Sequence, residues 1–163
     1  MVDDLQDVPR FFPVALNVRK KKCVVIGGGG IGTHKALKLG RAGAHVTVVS
    51  PVVTDKLAEQ IEVGSITWLR ESFQEDHLQG AFLVVVATDD DSLNASVAHI
   101  AAKCGALVCD ASSAERSEVI FGALLQREDV TVAVFTDGRN PSLARQTRDQ
   151  IAKVIDRTSE EGE

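Results

Sequence analysis

Two kinds of hydrophobic pattern alternate along the first two thirds of the chain. One is a short, nearly continuous apolar run, which reads as a strand covered on both faces. The other repeats its apolar residues every three or four positions, which reads as a helix with one buried face. Cys23-Val24-Val25-Ile26 is a β-branched run that stops at glycines, His45 to Val49 is a second strand, and Ser65 to Leu69 a third. Phe82 to Ala87 is the most apolar stretch and the best central strand, and Ala106 to Cys109 is a fifth. Between them Ala36, Leu39 and Ala42 recur at helical spacing before Gly43, and Asp55 to Val63 suits a helix after Pro51. Leu93, Val97, Ile100 and Cys104 then fall at i, i+4, i+7 and i+11, one face of a helix. The alternation predicts an α/β fold, a Rossmann-type doubly wound parallel sheet. Ahead of it, Phe11 to Leu16 reads as an edge strand and Arg19 to Lys22 as a solvated basic turn.

The pattern changes after Asp110. Val119 to Leu125 and Val130 to Phe135 are strand-like runs with no helix between them, and Asp129 lies in the turn. Asn140 and Pro141 then open a last helix as its cap and first residue. Arg145 and Arg148 share one face of that helix at i, i+3. The expected organisation is a sheet domain over 11–112 and a small α+β region over 113–157, with loose termini at 1–10 and 158–163.

Composition narrows the function. The chain has 163 residues, of which 44% are hydrophobic and 25% charged, enough to bury a core without disulfides or metals. A net charge of -5 argues against general nucleic-acid binding. Cys23, Cys104 and Cys109 make an odd set without a paired pattern, which fits reduced thiols in a cytoplasm. The opening Met-Val-Asp-Asp has no basic, apolar signal-peptide pattern, and no apolar run approaches the ~20 residues that span a bilayer. The expectation is a cytoplasmic protein with no membrane partner. Tyr is absent, which excludes dehydrogenases that use a Tyr/Lys pair as acid. His99, Cys104 and Cys109 lack zinc-site spacing, so no side-chain metal site is expected.

The first strand and first helix are joined by Gly27-Gly28-Gly29-Gly30-Ile31-Gly32. Gly27, Gly29 and Gly32 fit G-x-G-x-x-G: a tight turn, a close approach of pyrophosphate to backbone, and close helix–strand packing. The helix start, including Gly30 and Ile31, offers N–H groups to phosphate. An NAD site commonly has an acid at the end of the second strand. Here that position reads Ser50-Pro51-Val52, and the first acid is Asp55. Either Ser50 and neighbouring backbone hold the ribose of NAD, or the cofactor is NADP; no arginine follows Ser50 to meet a 2′-phosphate, which favours NAD. At the end of the fourth strand, Thr88-Asp89-Asp90-Asp91 either caps the next helix or stands beside the cofactor.

These blocks, together with others, resemble the precorrin-2 dehydrogenase family, which includes the N-terminal region of siroheme synthase. The matching blocks are Phe12-Pro13-Val14, Val25-Ile26-Gly27-Gly28-Gly29, Lys35-Ala36, Gly43-Ala44, Val46 to Pro51, Ala87-Thr88-Asp89-Asp90 with Asn94, and Pro141-Ser142-Leu143-Ala144-Arg145. The resemblance covers Phe11 to Ile155. It implies oxidation of precorrin-2 to sirohydrochlorin with NAD, iron insertion in some members, and a homodimer built through the region after the Rossmann domain. It also implies cations for the substrate carboxylates, for which Arg116, Arg139, Arg145 and Arg148 are candidates. Family members carry an Asn-Val-x-Asp block whose Asp is the base, where this chain reads Cys109-Asp110-Ala111-Ser112-Ser113. Ungapped counting puts the base at Ser112, a two-residue gap puts it at Asp110, and Asp137 is another candidate acid. A serine needs an activating partner to act as base near neutral pH. Two other readings stay open. One is a divergent member that binds NAD without catalysis. The other is a ligand-sensing Rossmann module of the kind found in potassium-transport regulators, though such modules keep the acid after the second strand and lack the Pro141 to Arg145 block.

Overall fold

Val24, Val25, Val84, Val85 and Val86 have no exposed surface, as residues of strands covered on both faces must. They belong to β1 (Lys22–Ile26) and β4 (Leu83–Val86), the middle of a parallel sheet that also holds β2 (His45–Val49), β3 (Thr67–Leu69) and β5 (Leu107–Asp110). The strand order is β3-β2-β1-β4-β5. Helices α1 (Gly30–Arg41), α2 (Asp55–Glu62) and α3 (Asp91–Lys103) make three of the four crossovers, and the β3-to-β4 crossover carries only a short 3-10 turn. Direction along the sheet reverses between β1 and β4, so a crevice opens at their carboxyl ends. The computed structural model describes residues 9–127 and 129–160. Its contacts divide into two units, Ala15–Val119 and Met1–Val14 with Ile120–Glu163.

Alternate residues of each strand serve opposite faces. Val24, Ile26, Val84, Val86 and Val108 form one core with Val97, Ala98 and Ala101 of α3. Leu78, fully buried in the same core, anchors a 3-10 turn over Glu75–Leu78. That turn is too short to show any periodicity in the sequence. On the other face α1 lies close to β1, with Ala36 and Leu39 buried.

The expected edge strand at Phe11 to Leu16 is not formed, and Phe12 is 86% exposed. Pro13 removes a ladder donor from the middle of that run and restricts the residue before it. Residues 118 and 119 are not in the hairpin either. Their N–H groups donate to the Val108 carbonyl at 2.9 and 3.0 Å, and Glu118 Oε2 accepts from Val108 N at 3.0 Å. The segment after β5 therefore folds back on β5, and the contact boundary falls at Val119 rather than at 112.

In the second unit β6 (Ala123–Arg127) and β7 (Val130–Val134) pair antiparallel, with Leu125 opposite Val132. Helix α4 (Pro141–Glu160) begins where Asn140 Oδ1 accepts from Leu143 N at 2.9 Å. It runs through 158–160, which were expected to be loose, because no glycine or proline interrupts it before Gly162. Of the other expected loose ends, residues 9 and 10 are exposed and form no helix or strand, and residues 1–8 and 161–163 lie outside the described residues. No helix among the described residues is long and apolar enough to cross a membrane.

A Cβ on Gly32 would sit 2.0 Å from the Gly27 carbonyl oxygen, whereas one on Gly40 meets nothing within 4 Å. Gly32→Ala is expected to destabilise the fold by about 1–3 kcal/mol through overpacking against backbone. Gly40→Ala should stabilise it by roughly 0.5–1 kcal/mol through helix propensity. Urea unfolding midpoints of the two variants check both signs.

Candidate functional site

The glycine loop forms the floor of a cleft of about 730 Å³ at the carboxyl ends of β1, β2 and β4. That is within the ~300–1,000 Å³ usual for small-molecule sites. Gly27 has φ +109, and a Cβ there would strike the Ala87 carbonyl at 2.4 Å. A Cβ on Gly28 would strike the Val52 carbonyl at 2.3 Å, while Gly29 and Gly30 face open space. The loop is thus squeezed behind and clear in front, which lets a ligand lie against its backbone. Helix α1 starts there with no side-chain cap and no acid in its first turn. Its leading N–H groups, those of Gly30, Ile31 and Gly32, suit the phosphates of a dinucleotide. The donor set and the clear backbone fit such a cofactor.

Ser50, Pro51 and Val52 line the same cleft, as do Thr88 and Asp89. Ser50 Oγ donates to the Val52 carbonyl at 2.7 Å, so its proton is engaged locally. Several cleft residues escaped the sequence reading, among them Glu71 and Phe73, which follow β3. Only the pairing of β3 beside β2 brings them there.

The three consecutive aspartates do three different things. Asp90 caps α3, accepting from Leu93 N at 3.0 Å. Asp89 stays in the cleft lining. Asp91 meets Arg116 Nη2 at 2.5 Å. Arg116 Nε also donates to Asp110 Oδ2 at 2.6 Å, and the Asp110 side chain has no exposed surface. Ser112 donates to Asp110 Oδ1 from its N–H at 2.9 Å and from its hydroxyl at 2.6 Å. The hydrogen bond from Arg116 holds the Asp91 carboxyl below the usual carboxylate range. Asp110, Ser112 and Arg116 are therefore brought together, with the guanidinium of Arg116 turned onto two carboxylates.

Buried Asn94 connects this cluster to the cleft. Its Nδ2 donates to the Thr88 carbonyl at 3.1 Å and to Ser112 Oγ at 3.2 Å. Its Oδ1 accepts from Thr88 Oγ1 at 2.5 Å. Asn94 stood in the sequence only as part of a matching block; the signal it carried was its place one turn after Thr88 to Asp91, on the buried side of α3. Cys109 and Cys23 are buried, and burial pushes both thiols up to about 11, which leaves them protonated and inert near neutrality.

The remaining candidates lie in the second unit. Arg139 Nη2 approaches Asp137 Oδ2 at 3.4 Å, Arg148 pairs with its neighbour Asp149 at 2.6 Å, and Arg145 is exposed on α4. Asp137 has φ 55. Its carboxyl is held below the usual range by the Arg10 backbone N–H first, then by that of Phe11. Phe11 N donates to Asp137 Oδ1 at 3.1 Å, so this acid ties down the segment before Val14.

An NAD(P)-binding family model matches residues 14–123. A siroheme synthase of Nitrosococcus oceani is 37% identical over 146 residues, which cover 90% of this chain and 31% of that protein. One of Nitrosomonas eutropha is also 37% identical over 146 residues, covering 89% and 31%. This chain thus spans 31% of the length of these curated relatives. A solved precorrin-2 dehydrogenase superposes with a TM-score of 0.77 at 28% identity, covering 88% of this chain and 70% of that one. With the family match over its whole sheet, the chain belongs to the NAD(P)-binding family, in the branch it shares with siroheme synthases and precorrin-2 dehydrogenase.

Proposed function

We propose that this chain oxidises precorrin-2 to sirohydrochlorin with NAD, in the cytoplasm. The observation that carries the reading is the join made by Asn94, which fastens the cleft wall at Thr88 to the acid cluster at Ser112. A hydride acceptor and a proton acceptor are both needed for this oxidation, and the join sets their two sites side by side. The likeness to a precorrin-2 dehydrogenase and to siroheme synthases supports the substrate. The absence of Lys or Arg from the cleft lining, among the described residues, supports NAD over NADP. The free thiols of Cys23, Cys104 and Cys109 suit a reducing compartment.

In this reading the first turn of α1 holds the pyrophosphate, and Thr88, Ser50, Pro51 and Val52 line the nucleoside portions. Bound NAD supplies the hydride acceptor. Ser112 receives the substrate proton and passes its own to Asp110, which lies 2.6 Å from its hydroxyl. That contact supplies the activating partner a lone serine lacks. Arg116, a candidate for the substrate carboxylates, instead aligns Asp110 and Asp91 here. Arg139, Arg145 and Arg148 are the substrate-binding arginines of this reading, since guanidinium forks suit carboxylates. The two-stranded sheet supports a homodimer: Leu124 and Val130 are exposed on a ribbon whose outer edges have no partner strand among the described residues. A second reading, an NAD binder without turnover, is favoured by one observation. Both oxygens of Asp110 are already bonded, and its side chain is sealed from solvent.

Mixed with precorrin-2 and NAD+, the protein is expected to form sirohydrochlorin and NADH in equal amounts; binding of NAD+ without either product would leave the second reading. Ser112→Ala should lower kcat about 10²-fold or more, the scale of a lost acid–base group, with NAD+ affinity unchanged in calorimetry. Gly28→Val should abolish NAD+ binding in the same titration. Light scattering is expected to give twice the chain mass, falling to one chain mass in Leu124→Glu.

A further inference from the structure

Resting on the reading of the cleft as an NAD site, we propose that Glu71 grips the adenosine ribose and repels the 2′-phosphate of NADP, with His77 as its positioning residue. The acid commonly found at the end of β2 is missing, and the hydroxyl proton of Ser50 is taken by the Val52 carbonyl. β3 lies beside β2 with Val49 opposite Leu69. The chain leaving β3 therefore emerges about 4.8 Å from the chain leaving β2. Ser50 N donates to the Leu69 carbonyl at 3.2 Å and stitches the two ends together. Glu71 enters the cleft lining from there, on the β2–β3 side of the crevice, where a doubly wound sheet receives the adenosine half of a dinucleotide. Asp89 follows β4, on the opposite side of the switch point.

The Glu71 carboxylate is held in place. Gln74 N donates to His77 Nδ1 at 3.0 Å, so that nitrogen carries no proton in this geometry. The proton sits on Nε2, which donates to Glu71 Oε1 at 3.1 Å. His77 belongs to the 3-10 turn anchored by buried Leu78, and its ring meets Phe73 edge-on at 6.2 Å. One carboxylate oxygen is thus fixed by the imidazole and the other is left for ribose hydroxyls. No Lys or Arg among the described residues lines the cleft to neutralise a 2′-phosphate. The nearest guanidinium in sequence, Arg70, lies over the Trp68 ring at 5.5 Å.

The test is calorimetric titration of NAD+ and NADP+ into the wild-type chain, Glu71→Gln, Glu71→Ala, His77→Ala and the double alanine variant. The wild type should prefer NAD+. Glu71→Ala should weaken NAD+ about tenfold or more, the scale of a hydrogen bond to a charged group. Glu71→Gln should bring the two affinities to within about tenfold, by removing the repulsive charge while keeping an acceptor. His77→Ala should weaken NAD+ less than Glu71→Ala does, and should add nothing in the double variant, since a residue acting through Glu71 is silent without it. Retention of the full NAD+ preference in both Glu71 variants would overturn the proposal while leaving the NAD site standing. Additive losses would overturn the role of His77. A wild-type chain that binds neither dinucleotide would overturn the NAD reading itself.

Discussion

The approach of α1 to β1 is the constraint on which the first unit depends. Gly32 passes so near the Gly27 carbonyl that no side chain fits between them. That approach aims the leading N–H groups of α1 at the carboxyl edge of the sheet, where the strand order turns. Thr33, buried on the same helix, shares a 2.7 Å contact with the Thr54 hydroxyl. Thr54 in turn caps α2, accepting from Leu57 N at 3.3 Å. The placement of one glycine is thus transmitted through a hydroxyl pair to the next crossover. Widening this contact would misplace the phosphate donors and the far wall of the cleft together.

The acid cluster obeys a different constraint. A carboxylate with no solvent contact is tolerated only when its charge and lone pairs are met. Asp110 satisfies this with one guanidinium nitrogen, one amide and one hydroxyl. Arg116 meets the charge of Asp110 through Nε, and its terminal nitrogens bond exposed Asp91 as well. The resulting chain of bonds is fully paired: no buried side-chain polar atom among the described residues lacks a partner. Such networks hold one geometry rather than several. That suits the oxidation proposed above, in which a proton and a hydride would leave the same molecule.

The sequence showed most clearly whatever is local. The five apolar runs became strands and the glycine loop became a helix start, because a strand buried on both faces and a strained turn each demand particular residues over a few positions. Asn140 and Pro141 announced α4 for the same reason. What was not legible depends on pairing over distance. Arg116 meets Asp91 across 25 positions, and Asn94 meets Ser112 across 18. Neither spacing has any pattern value. Glu71 was invisible because an acid after a short strand matters only once that strand is known to neighbour β2. Phe11 to Leu16 misled because its apolar content suggested a strand, while Pro13 denied it the hydrogen bonds of one.

The segment that returns to β5 has a consequence for the behaviour of the protein in a crowded solution. An open parallel sheet has two borders at which a stray chain can add itself as a further strand. At β5 the Val108 carbonyl and N–H are already taken by residues 118 and 119. At the opposite border β3 has only three residues, a poor template. Both flanks of this sheet are therefore blunted from within the chain. A stray chain thus meets few free ladder groups along either border on which to add a further strand.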